Sequence, residues 1–131
     1  MFSLLNRRRL VCKANIMITT QQVCPIARAA ELVGDMWTIL IVRDLMSGSK
    51  RFGELQESLG HVSPKTLSQR LKTLEYADIL TREAFAEIPP RVEYTLTEKG
   101  QALSDIIVAM SAFGEQYLPI EDVVVLSAAG D

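Results

Sequence analysis

A helix with clear end signals is followed directly by two strands in this sequence, and this order limits the folds that the chain can adopt. Ser63 and Pro64 combine an N-cap hydroxyl with a proline at the first helical position, and the predicted helix runs to about residue 77. The stretches 79–87 and 91–96 then have strand character, and the prolines between them mark a hairpin tip. In the second stretch apolar and polar residues alternate, which is typical of a strand with one buried face. The sequence therefore predicts a helix with an adjoining β-hairpin.

Further helices are predicted on both sides of this unit, from apolar residues at helical spacing and from end signals. Their predicted extents are Cys24 to Gly34, Met36 to Met46, Phe52 to Gly60 and a long last helix from Thr97 to Pro119. The last helix has a wider apolar stripe than a domain this small can cover, which predicts a dimer. We therefore predict an α+β, mainly helical fold, a winged helix-turn-helix with N- and C-terminal dimerisation helices.

The composition fits one domain and indicates no partner by itself. The chain has 131 residues, of which 48% are hydrophobic, and a formal net charge of -2 with a sequence pI of about 5.4. We expect a flexible basic N-terminal arm over residues 1–16, a domain over 17–118 and a short C-terminal tail over 119–131. No apolar run approaches the roughly 20 residues that span a bilayer, and two cysteines are too few to staple the fold. These features predict a cytoplasmic protein without membrane insertion.

The helix that begins at Ser63 carries the strongest functional signal. At about 100° per residue, its three leucines share one face, and the opposite face has donor groups and no carboxylate. Lys65, Arg70 and Lys72 give the segment 63–73 a charge of +3 in a chain that is negative overall. Such a face suits the major groove of double-stranded DNA, where cations contact phosphates and amide or hydroxyl groups read base edges. The candidate DNA-binding residues of this helix are Ser63, Lys65, Thr66, Ser68, Gln69 and Lys72.

The alternative for this helix is an ordinary solvent-exposed face without a binding role, although such faces more often mix Glu with Lys.

The hairpin tip gives a second indication of DNA binding. Pro89 and Pro90 are stiff and lack N–H donors, so we expect them to hold Arg91 at a projecting edge. There Arg91 would suit a narrow minor groove or a phosphate, and it is a further candidate DNA-binding residue. An ordinary polar turn is the alternative.

Six short motifs along residues 24–117 carry a resemblance to a known family. They are Cys24-Pro25, Gly34-Asp35-Met36-Trp37-Thr38, Arg43-Asp44-Leu45, Arg51-Phe52-Gly53-Glu54-Leu55, Ser63-Pro64-Lys65-Thr66-Leu67-Ser68-Gln69-Arg70-Leu71 and Pro90-Arg91-Val92-Glu93-Tyr94-Thr95-Leu96-Thr97. In this order they resemble the HxlR-type winged helix-turn-helix transcriptional regulators. The resemblance implies a homodimer built from the first and last helices, a recognition helix that begins at Ser63-Pro64 and a wing tipped by Pro90-Arg91.

The chain departs from that family pattern at two places. The family usually has glycine in the turn after the recognition helix, whereas this chain has Asp78, which tolerates the left-handed conformation at some cost. Asp78 does not threaten the predicted fold. The N-terminal arm with Cys12 has no counterpart in the pattern.

Cys24 is a candidate redox-sensing residue because it lies at or near the N-cap of the first helix. The helix dipole and the nearby Arg28 would favour its thiolate form. The resemblance adds that some members of the family use a cysteine at the matching position as a redox switch. The alternative is a half-buried thiol packed under the dimer interface.

No enzymatic site is predicted. His61 is the only histidine, and we predict neither a histidine-based triad nor a His-rich metal site; no phosphate-binding glycine loop is present in the sequence. We expect no catalytic residue, no metal and no cofactor. The predicted function is that of a homodimeric transcriptional regulator that binds double-stranded DNA sequence-specifically at an inverted-repeat operator, with Cys24 as its candidate redox sensor. The alternative is a winged-helix module for protein–protein interaction, whose basic helix faces an acidic partner.

Overall fold

The structure is a computed structural model, and it describes residues 10–11, 17–18 and 23–121. The chain divides into two compact units, Met1–Ile39 and Leu40–Asp131. In the first unit, strands β1 (Leu10–Val11) and β2 (Met17–Ile18) pair antiparallel. The other residues of the predicted N-terminal arm, Cys12 among them, and most of the predicted C-terminal tail lie outside the described residues.

The first two helices begin where the sequence predicts. Helix α1 (Pro25–Val33) has Cys24 as its N-cap. Helix α2 (Met36–Leu45) follows, and the carboxylate of Asp35 accepts hydrogen bonds from the Thr38 backbone N–H at 3.0 Å and from the Thr38 hydroxyl at 3.1 Å. The cap predicted at Asp35 is therefore confirmed.

The second unit contains a helix-turn-helix followed by a hairpin. Its elements to the end of the hairpin are β3 (Lys50–Arg51), α3 (Phe52–Leu59), α4 (Pro64–Tyr76), β4 (Leu80–Phe85) and β5 (Arg91–Leu96). The three strands form one antiparallel sheet in the order β3-β5-β4, so the second hairpin strand is central. Helix α3, a short turn and α4 form the helix pair, and the hairpin is the wing. The predicted winged helix-turn-helix, mainly helical with a small sheet, is confirmed.

The core of this unit is built from aliphatic side chains of the helices and of the first wing strand. Its fully buried large side chains are Ile41, Val42, Leu45, Leu55, Leu67, Leu71, Leu74, Ile79 and Leu80. On β5, Tyr94 and Leu96 are buried while Thr95 between them is exposed, which confirms the predicted alternation. Helix α4 contributes three leucines to this core, so one of its faces is fixed and the other remains at the surface.

The turn after α4 has the left-handed geometry that its position requires. Asp78 has a φ of 62°, and its carbonyl oxygen accepts a hydrogen bond from the Thr97 hydroxyl at 2.6 Å. Gly100 packs against the same turn, because any Cβ at this position would overlap the carbonyl oxygen of Ile79. The end of α4 is thereby joined to the segment that follows the wing.

The predicted single last helix is wrong, because the structure divides it. Thr97 caps α5 (Glu98–Gln101) by accepting a hydrogen bond from the backbone N–H of Gly100 at 3.0 Å. Helix α6 (Ser104–Tyr117) follows. Between them the Leu103 N–H donates to the Gly100 carbonyl at 3.0 Å, only three residues back, which tightens the chain and interrupts the regular helix.

Helix α6 has no buried residue. Its large apolar side chains that are exposed are Ile106, Val108, Met110, Phe113 and Tyr117. No helix among the described residues is long and apolar enough to cross a membrane. Contiguous exposed apolar surface of this kind marks an interaction site.

Candidate nucleic-acid interface

Helix α4 starts with the predicted side-chain cap. The Ser63 hydroxyl oxygen accepts a hydrogen bond from the Thr66 N–H at 3.1 Å and donates one to the Thr66 hydroxyl at 2.9 Å. Pro64 occupies the first helical turn, where its missing N–H leaves no bond unmade. The Ser63 and Thr66 hydroxyls thus stabilise the N-terminus of α4, the helix for which the sequence predicts DNA contacts.

The two faces of α4 differ as predicted. The buried face consists of Leu67, Leu71 and Leu74, whose exposed fractions are 0%, 2% and 0%. The opposite face consists of Lys65, Gln69 and Lys72, which are all exposed, with Thr66 and Ser68 half-buried beside them. The amphipathic geometry is confirmed, and the contacts of these residues with DNA remain a prediction.

The charge on α4 is positive and unevenly distributed. The helix carries Lys65, Arg70 and Lys72 against one acidic residue, Glu75, which lies in the last turn. The first turns therefore contain no acidic side chain, and the helix dipole adds partial positive charge at the same end. A polyanion would meet the most favourable potential at the N-terminal part of this helix.

Arg91 differs from the expected projecting side chain. Its guanidinium pairs with Glu87 at 3.1 Å and with Glu93 at 3.7 Å, and it lies over the ring of Phe85. The Arg91 side chain is only 27% exposed as a result. The expectation of a projecting Arg91 is therefore wrong for this structure, because two wing carboxylates and an aromatic ring hold the guanidinium against the hairpin.

A second cation of the wing, Arg82, lies in the middle of β4 opposite Tyr94. It lines a cleft of about 360 Å³ with Ser68, Lys72 and Glu75 of α4. Sequence reasoning left Arg82 unassigned, because the direction of its side chain depends on the register between the two wing strands. The sequence shows only that side chains alternate along β4, and this alternation does not indicate which face of the strand meets α4.

Cys24 lies at the start of α1, as predicted. It is half-buried and not in a disulfide, and its carbonyl oxygen accepts a hydrogen bond from the Arg28 backbone N–H at 3.0 Å. The thiol makes no capping hydrogen bond to the helix. Its redox role remains a prediction.

The apolar face of α6 borders a groove of about 730 Å³. Ile106, Met110, Phe113 and Leu118 supply its apolar lining, and the rings of Phe113 and Tyr117 lie 5.1 Å apart between centroids. Ile106 and Met110 are 37% and 48% exposed, so this surface has no cover from the described residues of the same chain.

A helix pair with an exposed cationic second helix, followed directly by a wing, defines the winged helix-turn-helix transcriptional regulators. The model of the family described as HxlR-like helix-turn-helix matches residues 32–122. The chain belongs to this family, and the resemblance found in the sequence motifs is confirmed. It is a transcriptional regulator of the HxlR winged-helix type.

Relatives of the chain have the same description. An uncharacterized HTH-type transcriptional regulator of Synechocystis sp. is 40% identical over 102 residues, which cover 78% of this chain and 76% of the relative. The HTH-type transcriptional regulator YodB of Bacillus subtilis is 42% identical over 102 residues, which cover 77% of this chain and 91% of YodB. These relatives are described as regulators and not as enzymes.

Solved structures of two similar proteins have the same fold. The reduced form of YodB has a TM-score of 0.63 at 42% identity, covering 73% of this chain and 95% of that structure. The redox regulator HypR in its oxidized form has a TM-score of 0.68 at 33% identity, covering 70% of this chain and 95% of that structure.

Proposed function

We propose that this regulator is a homodimer that binds double-stranded DNA sequence-specifically through α4. The observation that carries the proposal is the exposed, carboxylate-free face of Lys65, Gln69 and Lys72. This face lies on a helix whose opposite side is fixed in the core by three buried leucines. A rigid helix with donors on its outer face can enter the major groove without reordering.

The side chains of α4 divide by chemistry into base readers and phosphate binders. The amide of Gln69 can donate and accept at once, which matches the adenine edge in the major groove. Ser68 and Thr66 flank it with hydroxyls, and Ser63 contributes by fixing the helix start. Lys65 and Lys72 supply charge that attracts phosphates whatever the sequence.

Arg91 at the wing tip contributes less to the DNA affinity than the cations of α4. Arg91 reaches a phosphate only by exchanging the carboxylates of Glu87 and Glu93 for the DNA. The exchange replaces one set of ion pairs with another, so its net gain is smaller than that of an unpaired arginine.

A second copy of the chain is the proposed cover for α6. None of the described residues covers its apolar groove, and α1 likewise has no buried residue, with Ile26 75% exposed. Two-fold symmetry of such a dimer would place one recognition helix on each of two half-sites, roughly 34 Å or about 10 base pairs apart. The operator would then be an inverted repeat.

Cys24 is the proposed redox-sensing residue of the dimer. The similar protein HypR is described as a redox regulator, and in this chain Cys24 lies half-buried at the start of α1. Oxidation would place a polar group or a disulfide next to the proposed dimer interface. A change in subunit angle there would alter the spacing of the two recognition helices.

The experiment that tests DNA recognition is selection of bound sequences from a pool of random duplex DNA, followed by titration of the selected duplex at several salt concentrations. The proposal predicts enrichment of an inverted repeat and an affinity that falls steeply with salt. A protein that selects no sequence and shows no salt-dependent duplex binding would instead fit the protein–protein interaction module.

A further inference from the structure

The cleft between the recognition helix and the wing brings together two cations from different elements. Lys72 comes from the penultimate turn of α4 and Arg82 from the middle of β4, and both side chains are exposed. Ser68, one turn before Lys72, adds a hydroxyl at the same cleft. The buried residues Leu71 and Tyr94 form part of its wall, so the polar groups stand at the rim of a fixed apolar support.

The direction of Arg82 follows from the pleat of the strand. Arg82 pairs in register with Tyr94, which is 8% exposed and faces the helix layer. Because side chains alternate along a strand, Thr81 and Glu83 point to the other face of the wing. Arg82 is therefore the one cation of β4 that shares a cleft with α4.

The cleft suits a single tetrahedral anion with negative charge spread over its oxygens. Guanidinium and ammonium groups from two elements can bond different oxygens of one phosphate, and the hydroxyl of Ser68 can donate a third hydrogen bond. Glu75 lies at the same cleft and opposes an anion there. The lysine and arginine together outweigh this single carboxylate.

We propose that Lys72 and Arg82 together bind one backbone phosphate of the DNA in this cleft. The wing then makes its main cationic contact through β4, and Arg91 at the tip, which is paired with Glu87 and Glu93, makes a weaker one. This inference rests on the proposed DNA-binding function. It adds Arg82 as a positioning contact that holds α4 at a fixed depth in the groove, since phosphate contacts set register while base contacts set sequence.

The test uses a fluorescent duplex of random sequence, about 30 base pairs long, which is long enough to contact both subunits at a spacing of roughly 10 base pairs. Fluorescence anisotropy at several salt concentrations gives the affinity and the salt slope of the full-length protein. For Arg82→Gln we expect about a tenfold loss of affinity for each bound subunit, the size of one charged hydrogen bond. The logarithmic salt slope should fall by about 1 for each subunit. The loss should be the same on a selected operator.

The matched control exchanges two neighbours, Thr81→Arg together with Arg82→Thr. Net charge and composition stay constant, and only the face of the wing that carries the guanidinium changes. This variant should bind as weakly as Arg82→Gln, whereas Arg82→Lys should recover part of the affinity. Glu75→Gln should bind more tightly than the parent, because it removes the opposing carboxylate. Thermal unfolding of each variant verifies that the fold is intact.

The double variant Lys72→Ala with Arg82→Gln should lose less than the sum of the two single losses, because both residues serve one phosphate. Parent-like affinity and salt slope in Arg82→Gln would overturn the inference while the parent's duplex binding still stood. Full affinity of the exchanged variant would also overturn it, because charge alone would then account for the effect. Absence of duplex binding by the parent would overturn the proposed function itself, and the inference with it.

Discussion

The guanidinium carbon of Arg91 lies 4.1 Å from the centroid of the Phe85 ring, which belongs to its register partner on the neighbouring strand. The same guanidinium pairs with Glu87 and Glu93. Arg91 is therefore bound to the wing on three sides, and its charge is largely compensated before DNA approaches.

This compensation predicts a gain of affinity when a carboxylate is removed. Glu87→Gln should strengthen duplex binding by up to about fivefold, since it removes one surface ion pair and leaves the Arg91 guanidinium more available to a phosphate. Glu98→Gln, which is exposed and lies just beyond the end of β5 that is opposite to Arg91, changes net charge equally and is the control. Equal gains from both variants would mean that only net charge matters and that Arg91 does not contact DNA.

The left-handed turn at Asp78 predicts a stabilising substitution. Asp78→Gly should raise the free energy of unfolding by about 0.5–1 kcal/mol, because relief of the left-handed strain exceeds the added freedom of the unfolded chain. Asp78→Ala should lower the free energy of unfolding by about 1 kcal/mol, because alanine has a Cβ that disfavours the left-handed backbone and no polar side chain that tolerates it. Urea titration of both variants measures the difference, and a destabilised glycine variant would contradict this interpretation of the turn.

The α6 face predicts dimerisation. Ile106→Glu with Met110→Glu should yield monomers in sedimentation experiments, because two buried charges at the proposed interface are costly to desolvate. Ala112→Glu, on the other side of α6 at about 100° per residue, should remain dimeric. Circular dichroism verifies that the helices persist. Unchanged dimers in the double variant would remove α6 from the interface.

Much of this fold and of the recognition helix could be predicted from the sequence because the deciding interactions are local. The Ser63 cap and the spacing of Leu67, Leu71 and Leu74 are properties of neighbouring turns. The break in the last helix could not be predicted, since it accompanies the close packing of Gly100 on the Ile79 carbonyl.

The contacts of the two wing arginines could not be predicted for a related reason. The ion pairs of Arg91 and the face taken by Arg82 depend on how the wing strands pair. The register between strands and the contacts between elements arise only in the folded chain. Sequence motifs give the order of residues and do not show these contacts.

Cys24 predicts loss of DNA binding on oxidation. Mild diamide joins two thiols in a disulfide, so treated parent should show weaker duplex binding and a cross-linked dimer on non-reducing gels. Cys24→Ser should retain binding after diamide, whereas Cys12→Ser should lose it like the parent. Equal binding by oxidised and reduced parent would make Cys24 a packing residue.

Reading of base sequence by α4 is tested by comparing three proteins on two duplexes. The affinities of the parent, Gln69→Ala and Lys72→Ala are measured on the selected inverted repeat and on random duplex DNA at fixed salt. Gln69→Ala should lose about 1–3 kcal/mol on the selected duplex and almost nothing on random DNA. Lys72→Ala should weaken binding to both by the same factor, because phosphates carry no sequence information. Equal losses on both duplexes for Gln69→Ala would contradict sequence reading by this helix.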